Sequence, residues 1–516
     1  MFRTVELGSK LSRAEYEERV PELRRELLEL QQELRSADFP VIVLFGGVDG
    51  AGKGETVNLL NAWMDPRWIH THAYPEPSEE ERERPEFWRY WRDLPPKGEI
   101  SILLRSWYRR PVLEHVHKKC TDSEYENALD RIVSFEQELA QDGVLILKFW
   151  MHLSKPAQKK RLKKLQKDPL MSWRVTETDW QHWHLYEEFI ATAERGYMKT
   201  STGRAPWHLV EGMDHRYRSV AVGSIIRDAI RKQLNLRRLH SEWIEQQNGL
   251  HEATGNGVTA LPSLAGPDTR TVLSTLATDL AASKSVYRKT LKEAQALLNL
   301  VFRQAKQLGI STILVFEGAD AAGKGGAIRR VTGALDAMDF DIHPIAAPTE
   351  EERARHYLWR FWRRLGRTGR LTIFDRSWYG RVLVERVEGF ANEMEWMRAY
   401  AEINDFEEQL VSHGIVLLKF WLHISEDEQL RRFEAREQIP FKRWKLTEED
   451  WRNREKWPQY DRAVHDMVER TGTSQAPWIL VEGNDKRYAR LKVLQTYCEH
   501  LTAAVQQAQK SNKRPV

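Results

Sequence analysis

Blocks of residues recur in this chain 271 positions apart. Gly47-Val-Asp-Gly-Ala-Gly-Lys-Gly54 returns as Gly318-Ala-Asp-Ala-Ala-Gly-Lys-Gly325, which sets Lys53 against Lys324. Arg105-Ser-Trp-Tyr108 returns as Arg376-Ser-Trp-Tyr379, Leu147-Lys-Phe-Trp150 as Leu418-Lys-Phe-Trp421, and Ala205-Pro-Trp207 as Ala476-Pro-Trp478. A constant offset leaves almost no room for internal insertions, so the chain folds as two copies of one domain. At 516 residues, each copy is long enough for a core of its own.

The elements read as α/β. Residues 9–36 carry Leu23, Leu27, Leu30 and Leu34 at helical spacing, and residues 272–308 repeat that role ahead of the second copy. Each helix leads to a short apolar strand, Val41–Phe45 and Ile313–Phe316, and then to a Gly-rich loop and another helix. Leu371–Phe374, Ile415–His423 and Trp478–Val481 are further strand candidates. Short apolar strands between helical stretches imply two tandem three-layer α/β/α domains, each with a buried parallel sheet. The expected boundaries are 1–235 for the first copy, 236–270 for a linker, 271–505 for the second copy and 506–516 for a disordered tail. The linker rests on the Gly-, Thr-, Ser- and Pro-rich run from Gly249 to Gly266.

Composition excludes several classes. The chain is 41% apolar and 30% charged, and no apolar run approaches the roughly 18 residues a membrane span needs. Its first residues, Met1–Gly8, lack the apolar stretch of a secretory signal, and Cys120 and Cys498 fall in different copies, so a reduced, cytoplasmic setting is expected. A net charge of +4 gives no reason to expect nucleic acid. Seven tryptophan pairs keep the offset, from Trp88/Trp359 to Trp207/Trp478, but they are spread over many elements and read as packing, not a stacking platform.

The Gly318-x4-Gly323-Lys324 run between a strand and a helix is a phosphate-binding loop. Its glycines turn backbone N–H groups toward a phosphate, the helix N-terminus adds its dipole, and the lysine reaches phosphoryl oxygens. The residue after Lys324 is Gly325, where such loops usually carry the Ser or Thr that helps hold magnesium. Asp320 in the loop and Asp375 at the end of the next strand are the candidates to replace it. Arg376 and Arg381 can fork onto phosphate oxygens, while Trp378 and Tyr379 read as core. Arg431, Arg432, Arg436, Lys442, Arg443 and Lys445 form a basic cluster that, beside a phosphate loop, reads as a grip for a polyanion. The first copy has Leu104 in place of Asp375, and Met171 and Ser172 in place of Lys442 and Arg443. It keeps Asp49 and Lys53, and the expectation is one catalytic and one degenerate copy.

These residues together resemble the second family of polyphosphate kinases. The resemblance rests on Gly318-x-Asp320-x-x-Gly323-Lys324-Gly325-Gly326, Pro348-Thr349-Glu350-Glu351 with Leu358-Trp359-Arg360, Asp375–Tyr379, and Pro440-x-Lys442-x-Trp444-Lys445. It covers residues 16–217 and 287–488. It implies a P-loop fold with a helical lid, and a homodimer or larger oligomer. It also implies Mg²⁺-dependent transfer of the terminal phosphoryl group of polyphosphate to AMP, giving ADP, with Mn²⁺ as the alternative ion. Asp320 and Asp375 would hold the metal. Lys324 and Arg376, with Gly323, Gly325 and Arg381, would bind phosphates, and Arg436, Lys442 and Lys445 would grip polyphosphate. Glu55 opposite Gly326 is a further departure in the first copy. The rival activities are transfer to ADP or GDP and an ATP-dependent kinase of a small metabolite; the rival without chemistry is a nucleic-acid-binding scaffold.

Overall fold

The computed structural model describes residues 2–254, 271–440 and 446–511. It divides into two compact units. The first comprises Met1–Pro77, Asp93–Pro262 and Arg353–His356, and the second Ser78–Arg92, Ser263–Glu352 and Tyr357–Val516. The short segments 78–92 and 353–356 thus belong to the unit opposite to their place in the repeat, a feature the 271-residue offset does not reveal.

Each unit is built on a five-stranded sheet in which every pairing is parallel. The first contains β1 (Val41–Gly47), β2 (Ile69–Ala73), β3 (Ile100–Leu104), β4 (Leu145–His152) and β5 (Trp207–Glu211), in the order β2-β3-β1-β4-β5. The second contains β6 (Thr312–Gly318), β7 (Phe340–Pro344), β8 (Leu371–Asp375), β9 (Val416–His423) and β10 (Trp478–Glu482), in the matching order β7-β8-β6-β9-β10. The central strands are continuous apolar runs because helices cover both faces; Val41–Phe45 and Ile313–Phe316 are all buried. β6 lies between β8 and β9: the chain leaves it for β7 on one side, returns through β8, and only then crosses to β9 on the other. A crevice therefore opens at the carboxyl ends of these strands, where α/β sheets bind their ligands. The edge strands β2 and β7 were not expected from sequence. Each is half-polar, with only Ile69 buried among their ten residues.

The helix before each sheet forms as its leucine spacing predicts. Arg13–Leu34 buries Leu23, Leu27, Leu30 and Leu34, and Ser12 and Glu15 close a reciprocal capping box at its start. Lys284–Gln307 buries Ala294, Leu298, Val301, Phe302 and Ala305, capped by Ser283. Ahead of each lies a single 3₁₀ turn, Phe2–Val5 and Val272–Thr275. Two expected irregular stretches are partly helical. The helix that starts at His215 continues to Thr254, through the first half of the expected linker. The last helix runs Lys486–Ser511, because Leu501 and Val505 remain buried on the same face and carry it into the expected tail.

Candidate phosphoryl-transfer site

β6 ends in the loop Gly318–Gly323, and the helix Lys324–Thr332 begins directly after it. Gly318 has φ +150°, and a Cβ there would lie 2.5 Å from the backbone oxygen of Leu422 on β9, so no larger residue fits. Gly323 caps the helix at φ +113°, turning the first N–H groups toward the crevice. Gly325 faces open space. Lys324 folds back over the loop, and its ammonium donates to the backbone oxygen of Gly318 at 2.7 Å.

Register then brings the second strand motif to the loop. Asp375 ends β8 beside Phe316 of β6, and the N–H of Arg376 donates to the Phe316 oxygen at 3.0 Å. Arg376 stands at φ +65°, strained for a residue with a side chain. That bend carries its guanidinium to Asp320, with Nη2 to Oδ1 at 3.0 Å. The other Asp320 oxygen accepts from Asn453 at 2.9 Å, and its backbone oxygen accepts from Gln429 at 3.1 Å. The Asp375 carboxylate is half-buried and has no hydrogen bond or ion pair with the described residues. Gly323, Gly325, Asp320, Lys324, Asp375 and Arg376 therefore meet at one end of the sheet.

The remaining expected residues divide. Arg381 pairs with Glu385 at 3.2 Å and lies over the Tyr357 ring, 4.6 Å from its centroid. Arg436 lies in the last turn of the helix Glu426–Glu437, half-buried. Lys442 and Lys445 fall outside the described residues. Arg432, expected among the polyanion-binding cations, is buried: its guanidinium donates to the backbone oxygens of Ala321 and Ala322 at 2.9 Å and of Gly483 at 2.7 Å. A guanidinium so engaged holds the loop in shape. Trp378 and Tyr379 are wholly buried, in keeping with the packing role expected of them.

Three features escaped sequence reasoning. Glu317, the last residue before Gly318, is buried and its Oε1 accepts from the Ser377 hydroxyl at 2.8 Å. Burial pushes its pKa above the ordinary carboxylate range, against the pull of Ser377, Lys324 and Arg376. Lys486 has its pKa pushed down to about 8, first by desolvation and then by Arg432. Lys419 is buried under the motif, where its ammonium donates to Glu407 at 2.7 Å, to the Tyr379 hydroxyl at 2.9 Å and to the Thr471 oxygen at 2.7 Å. Glu407 also accepts from Trp378 at 3.0 Å and Tyr379 at 2.6 Å, so this network pins the segment after Arg376.

The first unit reproduces the scaffold but not every residue of the site. Lys148, Glu136, Tyr108, Trp107 and the Thr200 oxygen form the same buried network. Arg105 has φ +56°, Lys53 bonds the Gly47 oxygen at 2.7 Å, and His182 replaces Asn453 on the loop aspartate, Asp49. Leu104 replaces Asp375 and Gly46 replaces Glu317. Glu55 pairs with Arg161 at 2.8 Å, with Arg174 at 3.3 Å and with Arg218, so a side-chain carboxylate already neutralises that cationic group. The same offset comparison would have found Glu317, because a glycine answers it.

A phosphate loop on the central strand of a parallel sheet, with an acidic strand end and an arginine beside it, defines a P-loop phosphotransferase fold. The chain belongs to the Polyphosphate kinase 2 (PPK2) family, whose model matches residues 10–238 and 281–511. It is 48% identical over 505 residues to the polyphosphate:AMP phosphotransferase of Pseudomonas aeruginosa, covering 98% of this chain and 99% of that one. The polyphosphate:AMP phosphotransferase of Acinetobacter johnsonii is 38% identical over 467 residues, covering 90% and 91%. The crystal structure of a polyphosphate kinase 2 from Pseudomonas aeruginosa PA01 superposes with a TM-score of 0.85 at 46% identity, over 99% of this chain and all of that one. No helix among the described residues is long and apolar enough to cross a membrane.

Proposed function

We propose that the chain transfers the terminal phosphoryl group of inorganic polyphosphate to AMP, and that the second unit carries the chemistry. The full-length likeness to polyphosphate:AMP phosphotransferases supports the reaction. The observation that carries the site is the meeting of Lys324, Asp320, Arg376 and the unpartnered Asp375 at one sheet end, answered in the first unit by Leu104.

An ionised α-phosphate oxygen of AMP attacks the terminal phosphorus. The bond from that phosphorus to its bridging oxygen breaks, the shortened polyphosphate leaves with the electron pair, and ADP forms. The attacking oxygen is already charged at neutral pH, so no strong general base is needed, and positioning with charge neutralisation does the work. Lys324 and Arg376 neutralise the transferring group, and the N–H groups at Gly323 and Gly325 cradle it. Asp375 fits a hard divalent cation: it is an oxygen donor, half-buried, with no ion pair or hydrogen bond to the described residues. Asp320 would complete the pair by exchanging its contact with Arg376, and Mg²⁺ held there would offset phosphate charge. Arg436, Lys442 and Lys445 follow the active site in sequence and supply cations for the rest of the polyanion. The assembly expected for the family is a homo-oligomer.

Purified protein with Mg²⁺, polyphosphate and AMP tests this. ADP should form, and Asp375→Asn or Lys324→Ala should lower kcat by about 100-fold or more, while Lys53→Ala retains most of it. Near-wild-type turnover in Asp375→Asn would reject the metal assignment.

A further inference from the structure

The crevice of the second unit continues into a cavity of about 120 Å³. Its lining joins Glu317, Asp320 and Arg376 of the phosphate site to the apolar Leu383, Val384, Trp457 and Val464, with the Glu449 and Asp461 carboxylates set among them. Its wall is completed by Leu273, from the 3₁₀ turn Val272–Thr275 that precedes the domain. Leu273 is only 4% exposed, and the turn is fastened by the Val272 N–H to His465 Nδ1 at 3.2 Å. This turn lies outside the family match, which begins at residue 281.

The first unit shows what the position controls. At the same offset stands Phe2, in the 3₁₀ turn Phe2–Val5. Phe2 is 1% exposed and stacks on Trp150, ring centroids 4.3 Å apart, with Tyr197 and His152 around it. Trp150 and His152 answer Trp421 and His423, which line the cavity of the second unit. Phe2 therefore occupies in the first unit the kind of space that Leu273 only borders in the second. A second observation points to a ligand. The Trp150 indole donates to His152 at 3.3 Å, but the Trp421 indole N–H, in a side chain 6% exposed, is buried without any partner among the described residues. An orphaned donor in a cavity wall is costly unless a ligand supplies the acceptor.

We propose that this cavity takes the nucleoside portion of the acceptor, with Leu273 as a specificity-determining wall and the Trp421 N–H as a donor to it. The inference rests on the phosphotransfer reading above, since it assumes that the phosphates lie at Lys324 and Arg376. A mostly apolar wall suits a flat base, and the Glu449 and Asp461 carboxylates in it repel a polyphosphate chain, so the two substrates separate by chemistry: polyanion along the cations, nucleoside against Leu273.

The test fills or preserves the wall. Leu273→Phe, which copies the first unit, should raise the KM for AMP by about 10- to 200-fold, the range that small volume changes produce in apolar pockets. The KM for polyphosphate and the Tm should stay unchanged. Leu273→Met conserves volume and should restore the AMP KM to within about threefold of wild type. Titrating AMP alone into each variant gives the same ranking without turnover. An AMP affinity in Leu273→Phe equal to wild type, at unchanged Tm, overturns the proposal, as does an equal rise in both KM values. If Leu273→Phe does not fold, a Leu273→Met protein with AMP affinity lowered as much as polyphosphate affinity overturns it equally. Failure of the wild type to make ADP would instead strike the function reading, and AMP titration would still separate the two.

Discussion

Replacing Lys419 by Met should destabilise the second unit and slow it at once. Lys419 and Glu407 are 0% and 2% exposed, 2.7 Å apart. At an effective dielectric of about 20 their attraction is about 6 kcal/mol, offset by several kcal/mol of desolvation for each ion. The intact pair is therefore near neutral in net stability. Removing one partner is not neutral, because Glu407 stays buried with its charge, and the expected loss is about 3–5 kcal/mol. Adding Glu407→Gln removes that charge while leaving an acceptor for Trp378 and Tyr379, so the double variant should recover about half the loss. Urea unfolding followed by tryptophan fluorescence reads the stability, and steady-state assays read kcat. Lys148→Met is the built-in control: it breaks the matching 2.6 Å pair in the first unit and should cost similar stability without a comparable loss of kcat in the folded protein. A Lys419→Met protein within 1 kcal/mol of wild type would refute the buried-charge reasoning. A Lys148→Met protein with the same kcat loss would refute the claim that the network acts by pinning Arg376.

Two further outcomes are expected. The pKa of Lys486 is lowered to about 8, first by desolvation and then by Arg432, so as pH rises through that value its ammonium loses its charge; any step that draws on that charge should weaken above pH 8, and Lys486→Met should remove that part of the rate-pH profile. Glu317→Gln keeps an acceptor for Ser377 but removes the charge beside Lys324 and Arg376, and kcat should fall by about 10- to 100-fold with the Tm held; an unchanged kcat assigns Glu317 to packing alone.

The residues visible in sequence were those whose chemistry is local. The phosphate loop, the Asp375–Arg376 strand end and the central strands all follow from contiguous runs, because a buried parallel strand and a Gly-rich turn each need particular residues in order. The edge strands escaped because solvent on one side erases their apolar pattern. Arg432 was misjudged because charge runs look alike whether they face solvent or clamp backbone oxygens; only the fold brings Ala321 and Gly483 to its guanidinium. Leu273 was invisible as a site residue, since an apolar side chain ahead of a helix carries no chemical signature. Asn453 and Gln429 reach Asp320 from more than 100 positions away, beyond any motif.

The Tyr197 hydroxyl lies 2.6 Å from where a Cβ on Gly46 would stand. Glutamate could not be installed there by that one change alone, because the buried tyrosine hydroxyl fills the room its side chain needs. Leu104, Phe2 and Glu55 are three more positions at which the first unit departs from the second, and each alters different chemistry. Giving the first unit the residue set of the second would therefore call for changes made together.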